Sequence, residues 1–564
     1  MRLEPGLIAA LLLYMALGVS SVKEVGVVGE VELAWALPQP PRVLVTLDPV
    51  QSADGADPNG LGHRWGPLVA SQSRPVERLE LGGCSLPLAI NQHTGGLSDW
   101  PSRLLRAAGL PRRGVIALHV GLGALILAGL YRFVRAQSGP LAATVAAGVL
   151  ASDWSFVFYK KVLGGTELLL QAALLLCLVA LWSRRWGSGR QGLLLFALGA
   201  GLGLQAKLTF AFVLGPLLLT ALLLRGDKPA MRPPLPERWG RVLGLPILLT
   251  APIWGSLLHH ALAVPASPHI WSHDFGAVQR ARLLAVFSGE GGPAREGLGN
   301  LLAWAVDPLR FFEVAYGVAG ASQPSVWRAI GLLGVALGAA LAWRDRHPTP
   351  RDALLRFAGL WLLLSLGLVG GVARDLHHLA LLAPLFALVA GLSIEALASL
   401  GTAARSLPRA RNALILALPL VIGGVSALRA TDGVIARVPV PTFTESGQAA
   451  LVALLREAEV KRLILADYEA MGVFEELAPD IAVEHAWGAV SQQGRAALPA
   501  LLERAAGGHL LVLRASAPMV YNLAPRAVDL AKAATPLGLV VEPVGALPGQ
   551  VATLYAVSRA GPPP

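Results

Sequence analysis

Only two cysteines occur in 564 residues, too few for a disulfide framework. Cys84 falls in a polar stretch and Cys177 inside a long apolar run, so the two are not expected to pair, and no CxxC spacing offers a metal or redox site. Charge is scarce too: 15% of residues are Asp, Glu, Lys or Arg, bunched between apolar runs instead of spread over a surface. That shortage excludes an ordinary cytosolic globular enzyme. No phosphate loop of the GxGxxG or Walker type is present, nor an HExxH zinc helix, nor zinc-finger spacing. The chain is therefore expected to work without a nucleotide, cofactor or metal. Despite a formal net charge of +11, the arginines sit in short clusters beside apolar runs, which excludes nucleic acid as a partner and assigns the excess charge to membrane topology.

What the sequence has is apolar length. Residues 193–224, LLLFALGAGLGLQAKLTFAFVLGPLLLTALLL, are too long for one crossing and are interrupted by Gln205 and Lys207. A helix crosses a hydrocarbon core in about 20 residues, so this stretch predicts two spans meeting at a polar hairpin. Further runs at 6–22, 115–134, 141–159, 167–183, 241–258, 327–343, 354–373, 377–398 and 412–429 bring the expectation to about eleven. The first run lacks an Ala-x-Ala cleavage signal and reads as an uncleaved span. The predicted fold class is a polytopic α-helical membrane protein with a C-terminal extracytoplasmic α/β domain.

Orientation follows from arginine and lysine, whose excess in short loops marks the cytoplasm. Arg132 and Arg135, then Arg184, Arg185 and Arg190, then the basic residues of 225–241, then Arg344, Arg346, Arg351 and Arg356, then Arg405, Arg409 and Arg411 occupy every second connection. The amino terminus is thereby predicted inside the cell. The long loop 23–113, the Tyr159-Lys160-Lys161 connection, the Gln205-Ala206-Lys207 hairpin, the loop 259–326 and the Arg374 to His378 turn fall outside. The histidines agree: His347 alone lies on the predicted cytoplasmic side. The expected organisation is a first span at 1–22, an outer loop at 23–113, a bundle at 114–430 and the outer domain at 431–564. In that last part a helical pattern at 446–458 alternates with short apolar strands near 462–466, 510–513, 539–541 and 551–557, the pattern of a partly parallel sheet.

Ionisable groups at a span boundary are costly to hold there and are functional candidates. Asp153, Lys160, Lys161 and Glu167 bracket the third and fourth spans, Lys207 caps the hairpin, and Arg374, Asp375, His377 and His378 precede the tenth span. All face the compartment of the first loop, whose acids include Asp48, Asp54 and Asp57 and whose end carries His93 and Asp99. Charges of both signs there suit a site that holds an anionic lipid head group and activates a hydroxyl. Lysines at span ends also anchor at interfaces without chemistry. The adjacent pair His377-His378 points two ways on a helix, and the outer histidines show no helical metal spacing.

The long outer loop with its Pro-Leu and Gly-Gly-Leu segment, followed by ASDWSFVFYKKVLGGTE, GLGLQAKLTF and HHLALLAPLFAL, resembles the bacterial C-superfamily (GT-C) membrane glycosyltransferases of the protein O-mannosyltransferase-like kind. The likeness covers about residues 1–400. It implies an inner-membrane enzyme that transfers a sugar, with inversion, from a polyprenyl-phosphate carrier to a glycan, lipid or protein acceptor on the outer face. By the same resemblance a first-loop carboxylate is the base and basic residues of later turns bind the carrier phosphate. Where the family has an Asp-Glu pair after the first span, this chain has Lys23 and Glu24, and the nearest Asp is Asp48. Lys161 stands for the family's Arg, and Leu163 for the acid that follows it. The expected site is then Asp48 as base, Lys161 and Lys207 near the carrier phosphate, and His93, Asp99, His377 and His378 lining the acceptor or sugar site. The other readings are a transporter or lipid-carrier flippase, expected to carry mid-span charges or repeat symmetry, and a non-catalytic scaffold of the same fold.

Overall fold

The structure is a computed structural model that describes residues 4–19, 78–81, 84–87, 96–98, 100–162, 165–182, 189–224, 244–251, 303, 305–310, 323–344, 349–369, 380–400, 406–437, 445–465, 477–478, 480–485, 498–513, 527–547 and 552–560. Helix α1 spans Pro5–Val19, and a two-stranded antiparallel hairpin follows, β1 (Arg78–Leu81) and β2 (Cys84–Pro87). Then come α2 (Trp100–Ala107), α3 (Arg112–Gln137), α4 (Pro140–Ser152), α5 (Trp154–Val162), α6 (Gly165–Trp182), α7 (Gly189–Ala206) and α8 (Ala211–Leu223). After a helical segment at 244–251 come α9 (Val326–Arg344), α10 (Pro350–Leu368), α11 (Ala383–Ser399) and α12 (Ser406–Arg437). Four stretches, Arg113–Gln137, Gly165–Trp182, Val326–Arg344 and Pro408–Gly433, are long and apolar enough to cross a membrane, and shorter apolar helices pack among them. The outer surface is itself apolar: Leu12 and Leu125 are 67% exposed, Leu363 66% and Leu333 61%. Such a coat is what lipid, not water, solvates. The chain is a polytopic α-helical membrane protein.

Helix α4 is the hub. Its sequence, PLAATVAAGVLAS, is rich in small residues, and nine of its 13 residues are buried. Apolar side chains gain little from leaving lipid, so close backbone approach does the work that burial does in water. α4 packs against α1, α3, α11 and α12. Gly391 of α11 lies so near Ala142 that a Cβ there would come 2.7 Å from its carbonyl oxygen, and Gly424 of α12 sits against the Ser152 carbonyl.

These contacts also sort the helix ends into two faces. At one face Glu4, before α1, accepts hydrogen bonds from the Tyr131 hydroxyl at 2.8 Å and the Arg135 Nε at 3.0 Å, both from the end of α3. The Tyr131 hydroxyl first, and the arginine after it, hold the Glu4 carboxyl below the usual carboxylate range. Beside it the Arg409 Nη2 of α12 donates to the buried Glu395 of α11 at 2.6 Å. Arg356 of α10 donates to the Ala342 carbonyl near the end of α9, and Thr349 with Asp352 forms a capping box at the start of α10. Arg135, Arg351, Arg356 and Arg409, all predicted to be cytoplasmic, are thus tied to helix ends of one face.

The Glu395-Arg409 pair carries a test. Arg409→Ala leaves a carboxylate buried at a helix end without its partner, and a fully buried pair broken this way loses about 3–5 kcal/mol. Arg409 is 37% exposed, so a loss of about 2 kcal/mol is expected after solvent screening. Glu395→Gln with Arg409→Met together should recover most of it in thermal unfolding of detergent-purified protein. A double variant no more stable than Arg409→Ala would show that the pair is not what holds these ends.

The C-terminal part forms a five-stranded sheet in the order β4-β3-β5-β7-β6, built from β3 (Arg462–Leu465), β4 (Ala482–His485), β5 (Gly508–Leu513), β6 (Leu539–Ala546) and β7 (Ala552–Arg559). β3 runs parallel to β4 and β5, and β7 runs antiparallel to β5 and β6. Alternate side chains serve two cores. Leu463, Leu511 and Leu554 pack with Leu451 and Leu455 of α13 (Glu445–Glu457). Ile464, Leu510 and Tyr555 pack with Leu502 of α14 (Leu498–Ala505) and Leu530 of α15 (Ala527–Ala534). The sheet is partly parallel, as the alternation of patterns suggests, while β4 has no counterpart among the predicted strands.

Candidate functional site

At the face opposite the arginines the polar residues of several helix ends converge. The predicted span 141–159 is in fact two helices, and the break is chemical. Asp153 ends α4 in an extended conformation, φ −67° and ψ 123°. Its carboxylate accepts from the Ser155 hydroxyl at 2.6 Å and the Phe156 backbone N–H at 2.9 Å, which caps α5. Asp153, a candidate from its boundary position, is therefore a helix cap, and it stands within electrostatic reach of Arg328 in the first turn of α9. Arg328 Nε in turn donates to the Ala305 carbonyl at 2.7 Å. Trp154 anchors the new helix by donating its indole N–H to Thr431 Oγ1 at 2.6 Å and by stacking on Phe158.

The stretch GLGLQAKLTF folds as the predicted hairpin. α7 ends at Ala206, Lys207 is extended at φ −162° and ψ 130°, and a 3-10 turn at Leu208–Phe210 leads into α8. Phe210 folds back onto Gly203, where any Cβ would collide with its ring. Gly199 lies against Cys177 and Ala173 of α6, and Gly201 against Pro246 and Leu249 of the 244–251 segment. α7 runs antiparallel to α6 with Gly199 level with Ala173 to Cys177. Carried eight residues onward along α7 and back along α6, that register sets Lys207 level with the first turn of α6.

That first turn is where the end of the first loop arrives. Ser98 Oγ hydrogen-bonds Thr166 Oγ1 at 3.1 Å, and the Ser98 carbonyl rests where a side chain on Gly165 would be. Four residues after Ser98, Ser102 Oγ of α2 hydrogen-bonds His119 Nε2 of α3 at 2.9 Å, with both residues buried. Glu167 follows Thr166 in the first turn of α6 and is 1% exposed. One turn deeper Gln171 Nε2 donates to the Ala380 carbonyl at 2.6 Å and ties α6 to the approach of α11. The assembly is a rim of hydroxyl, imidazole, amide and carboxylate groups with a half-buried lysine at its level.

Of the expected site residues, Lys207 is placed by its backbone at the level of this face with its side chain half-buried, and Lys161 by its backbone in the last turn of α5, which packs against α6. Asp48, His93, Asp99, His377 and His378 lie outside the described residues. Ser98, Ser102, Thr166 and Gln171 were not singled out from the sequence. Thr166 and Gln171 leave a signal, uncharged polar residues at an otherwise apolar helix end, which in lipid must find partners. Among the described residues no group of three or more His, Cys, Asp or Glu is arranged to hold a metal ion.

No family model matches the sequence, and no curated protein does. Solved structures do. The crystal structure of ArnT from Cupriavidus metallidurans bound to undecaprenyl phosphate aligns over 99% of this chain and 98% of its own, at 12% identity and a TM-score of 0.51. Its apo state aligns over 99% of both chains at the same identity and TM-score. The chain has the GT-C fold. The archaeal oligosaccharyltransferase AglB from Archaeoglobus fulgidus, in complex with an inhibitory peptide and a dolichol-phosphate, covers 90% of this chain and 69% of its own at 12% identity and a TM-score of 0.47. At such identity the likeness is one of fold, and what individual residues do in this chain rests on their own geometry.

Proposed function

We propose that this chain is an inverting glycosyltransferase that moves a sugar from a polyprenyl-phosphate carrier to an acceptor on the outer face of the bacterial inner membrane. The observation that carries the reading is the end-to-end match to a GT-C structure that holds undecaprenyl phosphate. The two ends of the bundle support it: one gathers Arg135, Arg351, Arg356 and Arg409, and the other holds the end of the first loop through Ser98 and Ser102 at the level of the Lys207 backbone. With the arginine face inward, the rim, the first loop and the α/β domain face the periplasmic side.

In this reading an acceptor hydroxyl attacks the anomeric carbon as the bond from that carbon to the phosphate oxygen breaks. The carrier leaves as polyprenyl phosphate, the configuration inverts, and the hydroxyl proton passes to a first-loop carboxylate, assigned to Asp48. Lys161 and Lys207 offset the charge that grows on the leaving phosphate, and His93, Asp99, His377 and His378 line the sugar or acceptor site.

Purified protein incubated with a panel of polyprenyl-phosphate sugars and membrane-derived acceptors should release polyprenyl phosphate and yield a glycan of inverted anomeric configuration. Asp48→Asn should lower the rate by at least about 100-fold, the contribution of a general base, and Lys161→Ala should weaken it as well. Failure to transfer from any donor by folded protein would remove the enzymatic reading. Full activity in both variants would remove these residue assignments.

A further inference from the structure

Two buried hydrogen bonds at the rim have no part in the chemistry above, and both act on the same short piece of chain. Ser98 is tied to Thr166 at the start of α6 at 3.1 Å, and Ser102 to His119 near the start of α3 at 2.9 Å. Ser98 is 5% exposed, Ser102 0%, Thr166 5% and His119 3%. A surface helix needs no such anchors. α2 is eight residues long and strongly amphipathic, WPSRLLRA, with Leu104 exposed. Too short to be stable alone, it is held by what it touches. The Ser98 carbonyl fills the space left by Gly165, so a side chain at that position would push the loop away. Three separate features of two bundle helices thus fix one segment, and that segment brackets Asp99 in the sequence.

We propose that Thr166 and His119 are positioning residues: through Ser98 and Ser102 they clamp the end of the first loop to the bundle, and so set the geometry in which the loop meets the carrier-binding face. The inference rests on the glycosyltransferase reading for its consequence in catalysis, and on the structure alone for the clamp. The loop end is then a built wall of the site. A misplacement of about 1 Å at such a wall costs on the order of 100-fold in rate. The carrier phosphate is met by the lysines, so donor binding is expected to survive loss of the clamp.

The side chains admit discriminating substitutions. Gln reproduces the Nε2 position of histidine and Asn does not; Ser keeps the Thr166 hydroxyl and Val removes it at equal size. Each variant is read in two ways. The first is maleimide labelling of Leu97→Cys in full-length protein carrying Cys84→Ser, whose other thiol, Cys177, is buried in α6. The second is steady-state transfer. Thr166→Val and His119→Asn should label at least about fivefold faster and lose about 10- to 100-fold in kcat, with donor KM changed less than about twofold. Thr166→Ser and His119→Gln should behave as the parent in both. Unchanged labelling in Thr166→Val and His119→Asn would overturn the clamp, and faster labelling with unchanged kcat would overturn its catalytic role. A fall in kcat that Ser and Gln fail to rescue would mark a packing defect and overturn it too. If parent protein transfers no sugar while labelling follows the expected order, the glycosyltransferase reading has failed and the clamp has not.

Discussion

Gly338→Ala is expected to unfold the bundle or cost it about 3 kcal/mol, while Gly334→Ala, on the same helix, leaves it as stable as the parent. The contrast comes from what each added methyl group meets. At Gly338 of α9 it would land on the Ser393 backbone of α11, its carbonyl oxygen nearest; at Gly334 it meets nothing within 4 Å. A flexible side-chain tip gives way at small cost, but a helix backbone moves only if the whole helix moves. Here α11 is held on its other flank by α4, where Gly391 rests against Ala142. Neither glycine has a positive φ, so conformational strain plays no part and the two substitutions differ in contact alone. Gly331 is the intermediate case, since a methyl there would press on the Leu420 side chain and should cost less. Thermal unfolding and the monodisperse fraction in detergent measure all three. Equal melting of the Gly338 and Gly334 variants would mean that α9 and α11 are not packed backbone to backbone.

How much of this was legible in the sequence follows from where the signal lives. Apolar length and arginine placement are long-range, redundant signals, and they located the hairpin at Lys207 and the helices on either side of it. The hydrophobic strands of the C-terminal sheet were legible for the same reason: Leu463-Ile464 and Leu510-Leu511 are apolar on both faces because each face meets its own helices. The break at Asp153 was not legible. Hydropathy averages over about 19 residues, and one aspartate between two apolar stretches does not register, although it rewrites one span as a bundle helix and a capped short helix. Nor was the rim legible. Ser98 and Thr166 are 68 residues apart and Gln171 and Ala380 are 209 apart, and a single serine or threonine reads alike whether it is solvated, bonded to its own helix or clamping a loop. Thr220 and Ser393 are buried like Thr166 yet lie within apolar helices away from the loop. Only the three-dimensional partner separates these cases.

Lys207→Ala is expected to lower sugar transfer about 100-fold, the loss typical of removing one preorganised donor from a developing oxyanion, without lowering the unfolding temperature. The backbone explains why the effect should be confined to activity. Lys207 N–H donates to the Gly203 carbonyl at 3.0 Å, and its own carbonyl accepts from Phe210 N–H at 2.9 Å. The hairpin is thus set by main-chain bonds and by Phe210 on Gly203, which alanine at position 207 leaves in place. By helix register the Lys207 backbone stands level with the first turn of α6, its side chain is half-buried, and the proposed reaction assigns it to the carrier phosphate. An ammonium there gains strength from the low dielectric around it, and its benefit grows as the glycosidic bond breaks and charge collects on the phosphate. Lys207→Arg keeps the charge on a longer planar group and should retain activity within about tenfold of the parent, whereas Lys207→Gln, polar but neutral, should fall with alanine. The rate should fall further in kcat than KM rises, because the interaction strengthens in the transition state. If Lys207→Gln instead matched Lys207→Arg, the charge would be irrelevant, and the rim would have to bind its phosphate elsewhere or not at all.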